Sequence, residues 1–218
     1  MTREDVRARI QEIAIIPSVR MSSAEDAMFA AEAVAEGGIP IVEVPMTVPG
    51  AIAVIRSLVL RNPNMIVGAG TVLDAELAQQ CIDAGAAFLT STGFEGDVVS
   101  VAVRQGVVSL PGALTPTEAI LAHKSGADFV KIFPCSQVGG ASYIKSLKAP
   151  LAHVPLIASG GVNQKNIAEF FQAGAVAVGI GSNLIPAEAV DRREPSWIAK
   201  LAGQYIHLVT KARGRHAS

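Results

Sequence analysis

The chain is short of charge. Of its 218 residues only 17% are Asp, Glu, Lys or Arg while half are hydrophobic, against the ~25% charged usual in soluble domains. Much of it must therefore be buried, and a disordered chain, which needs the opposite composition, is excluded. Neither sign of charge is in excess: 18 basic residues against 19 acidic ones leave a formal net charge of -1. Such a chain has no net positive field to grip nucleic acid or an anionic membrane, which points to a small-molecule or protein partner. Basic residues concentrate only at the C-terminus, where Lys211, Arg213, Arg215 and His216 read as a solvated tail. Cysteine is scarce as well. Cys81 and Cys135 are too few for a disulfide framework and read as reduced thiols of a cytoplasmic protein. The histidines, His123, His153, His207 and His216, show no close pair at metal-ligand spacing, so no metal site is expected. Long apolar runs are missing too. The most hydrophobic stretch, residues 37–55, is interrupted by Pro40, Glu43, Pro45 and Pro49, and nothing approaches the ~18 residues of a membrane span. Residues 1–12 mix acids and bases without an apolar core, unlike a signal peptide.

What is present is a repeated alternation of short apolar runs with helical patterns that end in glycine. Strands are expected at 14–19, 41–44, 65–68, 88–91, 107–110, 129–132, 156–158 and 177–180. Helices at 74–84, 95–105, 116–125 and 163–173 are followed by Gly85, Gly106, Gly126 and Gly174, residues suited to a left-handed stop. Asp74 with Glu76, Thr115 with Pro116 and Glu118, and Asn163 are polar caps at helix starts. Short β-branched strands separated by helices must pair in parallel, because each helix is a crossover. The expectation is therefore an α/β protein: a (β/α)8 TIM barrel with an extra N-terminal helix at 2–12 and a last outer helix at 194–213. An open doubly wound sheet is the alternative. No linker or low-complexity segment divides the chain, so residues 1–218 read as a single TIM-barrel domain.

In such a barrel, function sits where strands end and βα loops begin. Two residues break the apolar pattern there. Lys131, in Phe129-Val-Lys-Ile-Phe133, shares by alternation the face of Phe129 and Phe133. Either its head reaches water from a strand end, or it is held in an apolar barrel, where the ammonium is disfavoured and the neutral amine is a nucleophile able to form a Schiff base with a carbonyl. Glu43, in Ile41-Val-Glu-Val-Pro45, is an edge-strand surface glutamate, a structural partner for a buried cation, or a carboxylate aimed into the mouth. Counted along the strands, the two lie on the second and the sixth, across the barrel. A carboxylate facing an imine-forming lysine can move the protons of carbinolamine dehydration and of carbanion chemistry beside the imine. Ser159-Gly160-Gly161 and Gly179-Ile-Gly181-Ser182-Asn183 follow strands seven and eight. They either make tight turns or hold a phosphate through backbone N–H groups and the hydroxyls of Ser159 and Ser182. Gly68-Ala-Gly-Thr71 and Thr90-Ser91-Thr92-Gly93 supply hydroxyls that orient a carboxylate or cap the next helix. Arg20, just past the first strand, could pair with an anion of the substrate or with a surface acid.

Taken in order, Glu43-Val-Pro-Met-Thr47, Gly68-Ala-Gly-Thr-Val-Leu73, Pro111-Gly112, Lys131-Ile-Phe-Pro134, Ser159-Gly-Gly-Val162 and Gly179-Ile-Gly-Ser182 carry a likeness. From about residue 15 to residue 186 the chain resembles the 2-keto-3-deoxy-6-phosphogluconate / 4-hydroxy-2-oxoglutarate aldolase family. The resemblance implies a class I aldolase that uses no metal or other cofactor, commonly a homotrimer, cleaving a phosphorylated 2-keto-3-deoxy sugar acid to pyruvate and glyceraldehyde 3-phosphate, or 4-hydroxy-2-oxoglutarate to pyruvate and glyoxylate. It assigns the Schiff base to Lys131 and general acid/base work to Glu43. Thr71 would contact the pyruvate moiety, and Gly160, Gly161 and Ser182 would cradle the phosphate. Arg20, Thr47, Thr92, Phe133, Ser159 and Gly181 complete the implied substrate contacts. The chain departs from the family at Thr47, where many members have a carboxylate-binding arginine, at Thr92, where proline is usual, and at Ser159, where threonine is common. The second-strand motif is closer to the branch acting on 2-keto-3-deoxy-6-phosphogalactonate. Two other classes remain open on these residues: a phosphosugar isomerase or epimerase using Glu43 as a base, and a catalytically silent ligand-binding barrel.

Overall fold

The computed structural model describes residues 1–214, so Arg215 and His216 of the expected basic tail lie outside the described residues. Helix α1 (Arg3–Ile13) precedes β1 (Ile15–Pro17), and the alternation then runs α2 (Ala24–Glu36), β2 (Ile41–Pro45), α3 (Ala51–Arg61), β3 (Ile66–Gly70), α4 (Ala75–Asp83), β4 (Phe88–Thr90) and α5 (Gly96–Gln105). It continues through β5 (Val108–Leu110), β6 (Gly112–Ala113), α6 (Pro116–Lys124), β7 (Val130–Ile132), α7 (Ala141–Lys148), β8 (Leu156–Ser159), α8 (Ile167–Gln172) and β9 (Ala177–Ile180), and closes with α9 (Ala187–Asp191) and α10 (Pro195–Gly214).

Every strand pair is parallel, in the orders β2-β3-β4-β5 and β6-β7-β8-β9-β1. The two sets are halves of one ring. At one seam Ser18 bridges to Glu43, with Val19 N donating to Glu43 O at 2.8 Å. At the other seam β5 and β6 are one course of chain interrupted at Pro111, whose carbonyl accepts from Lys131 N at 2.9 Å. The expected fifth strand at 107–110 is β5, and the same course continues past the expected end as the short β6, the two separated at Pro111 because proline has no N–H to continue the ladder. With that division the eight expected strands form the (β/α)8 arrangement. Strand β3 also runs to Gly70, past the expected end at 68, which carries its tip into the site described below.

Local chemistry accounts for the element ends. Asp74 Oδ1 accepts from Leu77 N at 2.7 Å, and Thr115 and Glu118 form a reciprocal capping box. Gly85, Gly106, Gly126 and Gly174 all stand at positive φ, as helix stops of this kind require. The helix expected at 163–173 is shorter. Asn163 Oδ1 accepts from Lys165 N at 2.9 Å and Asn166 Oδ1 from Asn163 N at 2.8 Å. These local bonds hold a turn that competes with helix, so Asn163 opens a turn rather than capping the helix itself.

Strands β2 and β3 are buried at every position, as expected of parallel strands covered on both faces. One core runs from Val6 and Ile10 of α1 through Ile15, Ile41, Phe88 and Phe129 to Tyr205 of α10. On the side of the barrel away from the strand ends, Arg3 Nε and Nη2 fork onto the Asp128 carboxylate at 2.9–3.1 Å, and Asp128 Oδ2 also accepts from Ser109 N at 2.9 Å. This ties α1 to the fifth and sixth barrel strands. Lys211 and Arg213 belong to α10 rather than to a free tail, Arg213 Nη1 donating to Glu12 O at 2.7 Å. Among the described residues no helix is long and apolar enough to cross a membrane.

Candidate active site

A cavity of about 540 Å³ opens at the C-terminal ends of the strands. Two glycines of β3 make room for the side chains of neighbouring strands. The ring of Phe88 lies against Gly68, and the Glu43 carboxylate lies against Gly70, so a Cβ at either position would collide with its neighbour. Glu43 pairs with Gly68 in register, and its side chain is only 6% exposed. Its Oε1 accepts from Ser18 Oγ at 3.1 Å.

Lys131 enters the same space from β7, on the far side of the ring. Its Nζ stands 3.4 Å from Glu43 Oε2 and 3.0 Å from Thr90 Oγ1, with the side chain 14% exposed. The Phe133 ring centroid is 5.6 Å from the nitrogen. The alternation argument therefore placed Lys131 and Phe133 on the cavity side, and strands two and six do face one another. The surroundings differ from the purely apolar mouth anticipated for the amine: apart from Phe133, its close neighbours are a carboxylate and a hydroxyl.

The other expected residues divide. Arg20, Thr71, Thr92, Ser159, Gly160, Gly161, Gly181 and Ser182 all line the cavity. Gly160 and Gly161 take φ of 88° and 82°, and the hydrogen on Gly161 in place of a side chain makes room for Ser136. Thr71 is a β-branched residue at φ 57°, a strained backbone conformation of the kind that clusters at ligand sites. Arg20 is exposed, and among the described residues it makes no side-chain hydrogen bond or ion pair. Thr47 is not brought in. The chain turns away after Pro45, leaving Thr47 exposed and outside the cavity lining.

Sequence reasoning left Ser18, Asp26 and Asp191 unassigned, and gave Thr90 only as one of the loop hydroxyls that orient a carboxylate or cap a helix, not as a partner of the lysine. Ser18, Asp26 and Asp191 line the cavity, and Thr90 bonds the lysine from behind. Asp26 is held by Arg193 at 2.9 Å and by Ser23 Oγ at 2.7 Å. The available signal for Thr90 was its alternation with Phe88, which puts its hydroxyl on the inner face. Cys135 stays out of the lining. It is buried, with Sγ 3.6 Å from Gly140 O, and burial pushes its thiol up to about 11. The Cys81 thiol is likewise pushed up to about 11, by burial and then by the charge of Asp74. Both act as small hydrophobes. His123 and His153, remote in sequence, place their ring centroids 5.2 Å apart, which sequence spacing could not show. Among the described residues no group of three or more His, Cys, Asp or Glu could hold a metal ion.

Fold and site together define a barrel enzyme built around a shielded lysine amine and a partner carboxylate. Residues 6–201 match the family model of the KDPG and KHG aldolases. A curated relative, the 2-dehydro-3-deoxy-phosphogluconate aldolase of Treponema pallidum (strain Nichols), is 32% identical over 200 residues, covering 92% of this chain and 95% of that one. A native KDPGal structure superposes with a TM-score of 0.84 at 31% identity, covering 92% of this chain and 96% of that chain. A KDPG aldolase from Legionella pneumophila, with pyruvate captured as a covalent carbinolamine intermediate, gives a TM-score of 0.84 at 29% identity and covers 90% and 96%. The chain belongs to the KDPG and KHG aldolase family, whose members are class I carbon–carbon lyases.

Proposed function

We propose that the chain cleaves a 2-keto-3-deoxy-6-phospho sugar acid of the gluconate type to pyruvate and glyceraldehyde 3-phosphate through a Schiff base on Lys131. One observation carries this reading: Lys131 Nζ and Glu43 Oε2 lie 3.4 Å apart in a shared cavity of about 540 Å³. The neutral amine attacks the C2 ketone to form a carbinolamine, and Glu43, through a water, protonates the leaving hydroxyl as the imine forms. The protonated imine is the electron sink, so the chemistry needs neither metal nor other cofactor. Glu43 then takes the proton of the C4 hydroxyl, the C3–C4 bond breaks, and its electrons pass into an enamine while the aldehyde leaves. Protonation at C3 and addition of water to the imine release pyruvate and the free amine.

The remaining assignments follow the cavity. Gly160, Gly161, Gly181, Ser159 and Ser182 hold the phosphate, Thr71, Thr92 and Phe133 the pyruvate half, and Arg20 a terminal anion. Thr47, outside the lining, has no substrate contact in this reading. Cleavage of 4-hydroxy-2-oxoglutarate would use the same pair without the phosphate cradle. A galactonate-configured substrate is a second reading, supported by the second-strand motif and the likeness to the KDPGal structure. The working unit is one domain of residues 1–218 in the cytoplasm. We assign it as a homotrimer, consistent with exposed Leu73 and Leu121, and sedimentation would test that.

Reduction with borohydride in the presence of pyruvate tests the central claim. The expected result is one reduced pyruvate on Lys131, absent from Lys131→Met. An intact protein that yields no adduct would sink the lyase reading and favour an isomerase on the same barrel. Pyruvate release from gluconate-type and galactonate-type phosphorylated substrates and from 4-hydroxy-2-oxoglutarate, compared side by side, ranks the substrates. Pyruvate binding without release from any of them would favour a silent binding barrel.

A further inference from the structure

In the free protein two acceptors compete for the Lys131 nitrogen: Thr90 Oγ1 at 3.0 Å and Glu43 Oε2 at 3.4 Å. An ammonium has three N–H groups and serves both. The protonated imine retains a single N–H. Were the carboxylate to take it, the hydrogen-bonded ion pair would hold Glu43 on the nitrogen while the reaction needs its oxygen at the substrate's C3 and C4 positions. The hydroxyl is the nearer acceptor, and it is well fixed. Thr90 is 1% exposed, on a strand paired on both sides, with its own carbonyl accepting from Val72 N at 3.1 Å. Its branched Cβ restricts χ1, so the hydroxyl has few places to go. Glu43, in turn, is anchored away from the nitrogen by Ser18 on Oε1 and by the space over Gly70.

We infer that Thr90 is a positioning residue whose hydroxyl oxygen accepts the lone imine N–H of Lys131, leaving Glu43 free to move protons at the substrate's carbons. The hydrogen bond also fixes rotation about the Cε–Nζ bond, and hence which face of the imine turns toward Glu43. This inference rests on the reading of Lys131 as the Schiff-base residue.

Thr90→Val removes the hydroxyl and keeps the shape. The expected result is an adduct still formed on Lys131 by borohydride and pyruvate, KM within about twofold, and kcat for pyruvate release down about tenfold or more. Exchange of the pyruvate methyl protons in deuterated water, followed by NMR, slows in parallel because it needs Glu43 at C3. Thr90→Ser restores most of both rates. A merely structural role would lower the melting temperature without separating kcat from KM and without rescue by serine. Should Thr90→Val fail to fold, Thr90→Ala is measured in the same way. Wild-type kcat and exchange in the hydroxyl-free variant, with the adduct intact in both proteins, would overturn this inference alone. No adduct in the unaltered protein would overturn it together with the aldolase reading.

Discussion

Gly70 of β3 lies directly beneath the Glu43 carboxylate of β2: a Cβ at position 70 would occupy the space now filled by Glu43 Oε1 and Cδ. The backbone of Gly70 is not in the left-handed region, so the constraint is one of room rather than of φ. Gly70→Ala should therefore fold but tilt the acid away from Lys131. A displacement of about 1 Å at a reacting group costs on the order of 100-fold in rate. Steady-state kinetics should show that loss in kcat, with a melting curve close to that of the parent; an unchanged kcat would mean that the carboxylate position is not critical.

Ser18 holds the other end of the same carboxylate, with Oγ donating to Oε1 at 3.1 Å. Ser18→Ala leaves that buried oxygen without its partner. One hydrogen bond to a charged group corresponds to about tenfold in rate, so kcat should fall by about that factor while pyruvate still traps on Lys131. Equal kcat in the two proteins would show that Gly70 and Lys131 suffice to hold Glu43.

Arg3 and Asp128 lie on the opposite face of the barrel, where residues serve stability rather than chemistry. Arg3→Met removes the ion pair that ties α1 to the barrel and leaves the largely buried Asp128 carboxylate with the backbone N–H of Ser109 as its one remaining hydrogen-bond donor among the described residues. The expected cost is about 1–3 kcal/mol in urea unfolding, with kcat unaltered. A change in kcat at unchanged stability would reverse the assignment of the two faces.

Glu118 accepts from Leu114 N at 2.8 Å, Thr115 N at 2.7 Å and Thr115 Oγ1 at 2.8 Å, and these bonds, that from Leu114 first, hold its carboxyl below the usual range. Because the folded value is the lower one, the stabilisation is fully present above the unfolded-chain value of about 4.3 and disappears as pH falls through the folded value. Glu118→Gln should lower the urea midpoint near neutrality, with the gap to the parent narrowing on acidification. A gap that stayed constant with pH would show that the carboxylate charge does not matter to the cap.

Much of the fold was legible because its signals are local. Asp74 and Thr115 cap their helices with side chains a few residues from the N–H groups they satisfy, and Gly85, Gly106, Gly126 and Gly174 stop helices through their own backbone. Where local chemistry offered two solutions the outcome was not readable: Asn163 and Asn166 chose a turn over a longer helix, and the course of the fifth strand continued past Pro111. The site was half legible. A lysine and a glutamate inside apolar strands stand out, and the period of two assigns each a face. Arg213 fell at the end of the expected outer helix and in the expected solvated tail, but its bond was not readable, because its partner is the carbonyl of Glu12 at the other end of the chain.

The sequence by itself determined the eight-fold alternation, the inward faces of Glu43 and Lys131 and the glycine-lined loops, since strand period, cap chemistry and glycine conformation act over a few residues. Only the tertiary structure decided that positions 43 and 131, 88 residues apart, meet at 3.4 Å, that Ser18 and Thr90 flank them, and that Thr47 stands outside. The reason is geometric: alternation fixes which way a side chain points, while the stagger of neighbouring strands around the ring fixes its height, and height decides which polar groups touch.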